Sequence, residues 1–124
     1  MKRIAMLAAL ALALAAQAED DAGAARDAQQ VFARVAGSVL TVRALDAAGQ
    51  PDGQGSGVVV APGLVATNCH VVRSAAALRV AGADGERPAQ WTRQVAGQDL
   101  CLLSAPGLAA APVPLRPSTA LAVG

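Results

Sequence analysis

Residues 55–72 read GSGVVVAPGLVATNCHVV. Two apolar runs, Gly57 to Ala61 and Leu64 to Thr67, flank Pro62-Gly63. Proline presets the φ of the first central position of a tight turn, and glycine accepts the positive φ of the second. The β-branched residues on either side suit a pleated, half-buried surface, so the stretch predicts a β-hairpin. His70 stands just beyond it and is the only histidine among 124 residues. Further on, Asp99-Leu100-Cys101-Leu102-Leu103 predicts another short strand, headed by a carboxylate. A lone imidazole and a carboxylate placed at the ends of apolar strands are a natural pair for acid–base chemistry.

The start of the chain reads differently. Lys2 and Arg3 precede an unbroken apolar run from Ile4 to Ala16, and Ala16-Gln17-Ala18 has the small-x-small pattern of a cleavage site. Thirteen apolar residues fall short of the roughly 20 that a membrane-spanning helix needs, so residues 1–18 are expected to be a secretory signal peptide. An uncleaved anchor is the alternative. The expected mature chain, from Glu19, loses both methionines and the only lysine, which leaves 8 arginines against 9 acids. That balance argues against nucleic acid and anionic membrane surfaces as partners, since both call for a basic face. Phe32 and Trp91 are the only aromatic residues, so there is no row of stacking platforms for single-stranded nucleic acid. The core must be built from Val, Leu and Ala.

The remaining pattern is one helix followed by short strands. Ala24 to Ala36 places Val31 and Val35 at helical spacing with Phe32 beside them, and Gly37 ends the run. Strands are expected over Val39 to Leu45, over the hairpin, over Leu78 to Ala81 and Pro88 to Val95, and over Asp99 to Leu103. Ala47 to Gln54 reads as a turn-rich loop, Ala83-Asp84-Gly85-Glu86 as a second hairpin turn, and Pro106 to Pro114 as a linker. About six short strands punctuated by Gly and Pro predict an all-β, small antiparallel barrel. Residues 19–37 form a helical lead-in and residues 38–124 the barrel domain. The sequence holds no internal repeat.

Two cysteines, Cys69 and Cys101, lie outside the leader. An even count in an exported chain favours a disulfide, which would staple the His70 segment to the Asp99 segment. Closing a loop of roughly 33 residues stabilises by about 3.5 kcal/mol on the chain-entropy model. A metal site built from Cys69, His70, Asp99 and Cys101 is the weaker alternative: sequence neighbours seldom reach one ion, and no CxxC or HxxxH spacing supports it. A Cys69 nucleophile served by His70 meets the same objection. Gly53-Gln54-Gly55-Ser56-Gly57 is no phosphate cradle, because no Lys-Ser/Thr follows it and no helix opens there. No cofactor and no metal are expected.

These residues carry a family resemblance. Gly55-Ser56-Gly57 before a β-branched run, Thr67-Asn68-Cys69-His70-Val71-Val72, and Asp99-Leu100-Cys101-Leu102-Leu103 resemble the glycine-bracketed strand, the T-N-x-H-V-V histidine motif and the D-[LI]-A-[LV]-L aspartate strand of the trypsin-like serine proteases. The likeness is greatest to their bacterial periplasmic Deg/HtrA-type branch. It extends over roughly residues 26–124, where the tail from Val113 to Gly124 is similar to the segment that leads into the family's second barrel. The resemblance implies the N-terminal six-stranded antiparallel barrel of the two-barrel chymotrypsin fold, a periplasmic or secreted location and a polypeptide substrate. It assigns His70 as the general base that takes a proton from a serine hydroxyl, and Asp99 as the carboxylate that fixes the ring tautomer. A satisfied histidine at a barrel rim, and an Asp99 that merely closes a turn, are the structural alternatives.

One part of the family pattern is missing. The nucleophile of that family sits in a G-x-S-G-G motif, and Ser38, Ser56, Ser74, Ser104 and Ser118 all lack that context. The oxyanion-hole amides belong to the same motif and are worth about 10² to 10³ in rate. The expectation is therefore an incomplete serine endopeptidase, inactive by itself, that calls for a second barrel or an oligomer. A non-catalytic exported barrel that binds a peptide or a partner chain is the alternative.

Overall fold

The computed structural model describes residues 22–121. The expected signal peptide lies outside them. Among the described residues no helix is long and apolar enough to cross a membrane. The chain divides into two compact units, with the boundary between Arg34 and Val35.

Residues 22–35 are helical (α1), close to the span expected from the Val31/Val35 spacing. Within it Val31 and Phe32 are exposed, Phe32 by 70%. The helix gives way to a 3-10 turn, Ala36–Ser38.

The second unit is a closed barrel of six antiparallel strands: β1 Val39–Leu45, β2 Pro51–Ala61, β3 Leu64–Thr67, β4 Ala77–Gly82, β5 Gly85–Gln94 and β6 Cys101–Ser104. Around the barrel they run β1-β2-β3-β6-β5-β4, and β4 returns to β1. Closure leaves no edge strand. Pro62-Gly63 makes the β2–β3 turn with Gly63 at φ 68°, and the Gly63 carbonyl accepts the Ala105 amide at 2.8 Å. The core is aliphatic, with Leu40, Val42, Val59, Val65, Val80 and Leu103 among its buried members.

Three expectations need correction. Strand β2 begins at Pro51 and not at Gly57, so the second half of the expected loop over Ala47 to Gln54 is strand. Proline is tolerated there because it is the first strand residue. Asp99 is not in a strand: it occupies a bend, and β6 starts two residues later at Cys101. The stretch from Pro106 to Pro114 is no free linker. Leu108 and Ala110 pack on the core, the Val113 amide donates to the Val59 carbonyl at 2.9 Å, and the Ser38 hydroxyl donates to the Ala111 carbonyl at 2.5 Å.

The long β2 strand explains how the histidine segment is seated. Gly53, Gly55 and Gly57 pair across to Ala44, Val42 and Leu40, all three of them buried, so the glycines occupy inward positions. A Cβ on Gly55 would come within 2.7 Å of Val71 Cγ2. One on Gly57 would lie 2.6 Å from Val65 Cγ1 and 2.8 Å from Val42 Cγ2. The missing side chains leave room for the short helix α2, Cys69–Val72, to press Val71 against β2 while Val72 is buried in the core.

Candidate active site

His70 lies in α2, directly after β3, and its side chain is 71% exposed. Valines on its C-terminal side and the buried Cys69 on the other turn inward, which leaves the imidazole outside. Asp99 reaches it from the bend between β5 and β6. Its Oδ2 is hydrogen-bonded to His70 Nδ1, and its Oδ1 accepts the His70 backbone N–H at 2.9 Å. The carboxylate thus contacts both the ring and the main chain of the same residue, 29 positions away.

The backbone bond has a local cause. The first amides of any helix lack intrahelical partners. Asn68 occupies the N-cap of α2, yet its side chain makes no capping bond. The Asp99 carboxylate supplies the acceptor instead, and its charge suits the positive end of the helix. The Asp99 carboxyl is held below the usual carboxylate range, foremost by the bond from the His70 ring. Partial desolvation works against this, while the His70 amide, the charge on the His70 ring and the Cys69 amide add to it.

Cys69 and Cys101 are joined by a disulfide with Cα atoms 5.0 Å apart, and both residues are fully buried. They flank the histidine and the aspartate, so the covalent link ties α2 to the start of β6. The cross-strand pair Thr67–Cys101 lies beside it. Among the described residues no cluster of side chains could hold a metal ion.

Two contributors were not visible in the sequence. The Asn68 side-chain amide donates to the Asp99 carbonyl at 3.0 Å, and the Thr67 hydroxyl donates to the Ser56 carbonyl at 2.7 Å, which closes β3 on β2 just before the site. The T-N-x-H pattern marks both residues without showing where they reach. Among the described residues, no serine hydroxyl is hydrogen-bonded to His70. A cavity of about 350 Å³ bounded by Val72, Arg73, Leu78, Ala89 and Trp91 is lined by neither His70 nor Asp99.

The model of the trypsin-like peptidase domain family matches residues 55–124, more than half of the sequence. The chain belongs to that family. A comparison with curated proteins finds no match, but solved structures do resemble this trypsin-like barrel. The active form of the Rv3671c protease from M. tuberculosis is 30% identical with a TM-score of 0.59, covering 67% of this chain and 36% of its own. The serine endoprotease from Yersinia pestis is 27% identical at TM-score 0.64, covering 71% and 32%. The HtrA-type protease AlgW, in a structure with a tripeptide, is also 27% identical at TM-score 0.64, covering 75% and 31%. The trypsin-like chain described here thus spans roughly a third of the length of the proteases it matches.

Proposed function

We propose that this trypsin-like barrel supplies the general base and its orienting acid to a serine endopeptidase acting on exported or misfolded polypeptides. The observation that carries the reading is the Asp99 carboxylate bonded at once to the His70 ring and the His70 amide. With Asp99 accepting from Nδ1, the other ring nitrogen, Nε2, is the one free to take a proton. A serine hydroxyl presented to Nε2 would lose its proton as it attacks the scissile carbonyl, and the imidazolium so formed would face the carboxylate. The proton would then pass to the leaving amine. The nucleophile and the oxyanion donors are proposed to come from outside these 124 residues. An oxidising compartment, periplasmic or secreted, fits the buried disulfide and the expected leader.

The test uses the native exported product. Its intact mass and labelling by a serine-directed fluorophosphonate are measured, together with cleavage of an unfolded protein substrate. The expected product is longer, labels on a serine in a G-x-S-G-G context and cleaves. In it His70→Ala and Asp99→Asn should each lower kcat by about 10⁴-fold or more. The lack of G-x-S-G-G among these residues favours a second reading, a barrel that binds a peptide or partner chain without cleaving it. A native mass matching residues 19–124, with no labelled serine, would decide for that second reading.

A further inference from the structure

We propose that Asn68 is a positioning residue, whose side-chain amide sets the orientation of Asp99 toward His70. The inference rests on the pairing of these two residues in the proposed function, and extends it by naming what holds the carboxylate in place.

Three observations combine. Asn68 stands at the N-cap of α2, where asparagine is among the preferred residues because its side-chain oxygen can accept an orphan amide. It makes no such bond. Its Nδ2 instead donates at 3.0 Å to the main-chain carbonyl of Asp99, 31 positions further on. Only the NH₂ end of the side-chain amide can serve there, since a carbonyl is an acceptor alone. The two residues therefore exchange roles: the Asp99 carboxylate takes the helix amide that a capping Asn68 would take, and Asn68 holds the Asp99 backbone in return.

Asp99 also needs such a hold. It sits in the bend that follows Gly97, which has φ 73°, and outside the β5–β6 pairing, which ends at Gln94–Cys101. No strand ladder fixes its backbone. The disulfide, and the Val95 amide that donates to the Leu100 carbonyl at 2.9 Å, anchor the chain just after Asp99, but neither holds the Asp99 carbonyl itself. Rotation about the Asp99 N–Cα bond moves its carbonyl and its side chain together, and would swing the carboxylate away from both of its His70 contacts. The Asn68 bond grips the carbonyl of that same residue, so it opposes this rotation directly.

Because His70 is the sole histidine, its ring nitrogens give one unambiguous pair of ¹⁵N signals in the full chain. The tautomer is set by what each ring nitrogen bonds. At a pH high enough that the ring signals no longer move on adding base, the wild type should show the single Nδ1–H tautomer. Asn68→Ala should shift both signals toward the mixed-tautomer values of a free imidazole, with the disulfide intact by mass. Asn68→Asp separates positioning from capping. Aspartate caps a helix as well as asparagine does but, ionised, it has no N–H to donate. A capping role predicts that Asn68→Asp keeps the wild-type ring signals and melting temperature, and a purely structural role predicts a lowered melting temperature with wild-type ring signals. The positioning role predicts that Asn68→Asp loses the single tautomer as Asn68→Ala does. Wild-type ring signals in either folded variant would overturn the inference while leaving the proposed function standing. A mixed tautomer already in the wild type would remove the His70–Asp99 pairing, and the proposed function with it.

Discussion

The substitution Gly57→Ala adds one methyl group at an inward position of β2, and the structure gives the size of the conflict. The new Cβ would stand 2.6 Å from Val65 Cγ1, 2.8 Å from Val42 Cγ2 and 3.4 Å from the Ala66 carbonyl oxygen. Carbon atoms pack favourably at about 3.5–4.0 Å, so two neighbours must each retreat by about 1 Å. Val42 and Val65 are wholly buried, on strands that belong to a closed ring. β-Branched side chains have little χ1 freedom with which to yield. Overpacking of this kind costs about 1–3 kcal/mol, offset by about 0.5–1 kcal/mol for replacing a glycine within a strand. A net loss of about 1 kcal/mol, within a range of about 0–2.5 kcal/mol, is expected. Gly55→Ala offers a contrast, because the three atoms nearest its Cβ all belong to the side chain of half-buried Val71. It should cost less stability but displace α2, and combining it with Val71→Ala should recover part of the loss. At Gly37 a Cβ would meet nothing within 4 Å, so Gly37→Ala should be neutral or slightly stabilising. Urea unfolding followed by the fluorescence of Trp91, the single tryptophan, measures all four variants. If Gly57→Ala matched the wild type, or Gly37→Ala were the most damaging, the packing account of the inward glycines would be refuted.

Two further outcomes follow from the site. Replacing both Cys69 and Cys101 by Ala should lower the stability of the oxidised protein by at most about 3.5 kcal/mol, the loop-closure value for a 33-residue ring. Thiol reduction should bring the wild type close to the double variant, and equal melting of oxidised wild type and variant would contradict a stabilising bond. The lowered pKa of the Asp99 carboxyl also fixes the sign of a pH dependence. Its contribution to stability is fully present above the ordinary carboxylate value of about 3.9 and is lost as pH falls through the lower folded value. The advantage of wild type over Asp99→Asn should therefore shrink as pH falls through the acid range. Denaturant midpoints between about pH 2 and pH 7 measure it, and a constant difference down to the lowest pH would contradict the linkage.

What could be read in the sequence was short-range. Pro62-Gly63 dictates its turn because both residues act on their own φ angles, and the expected Leu64 to Thr67 strand is the one observed. The helix over residues 22–35 follows from apolar spacing and a stopping glycine. The family likeness in the histidine and aspartate motifs pointed to a six-stranded antiparallel barrel, and the structure has one. The start of β2 misled for a physical reason. Pro51-Asp52-Gly53-Gln54 has the composition of a loop, yet it is strand, because it pairs with Arg43 to Leu45 of β1, brought against it only by folding. Asp99 was likewise placed at the head of a strand by its neighbours. In the structure it leaves the ladder, because its carboxylate is drawn to amides of a helix that begins 30 residues earlier in the chain. Local sequence thus determined the Pro62-Gly63 turn and the aliphatic make-up of the core. Only the tertiary structure decided that α2 lies over a glycine-lined wall and that Asn68 and Asp99 satisfy one another. Each of those contacts joins groups far apart in sequence, and nothing in either partner's immediate neighbours specifies where the other will be.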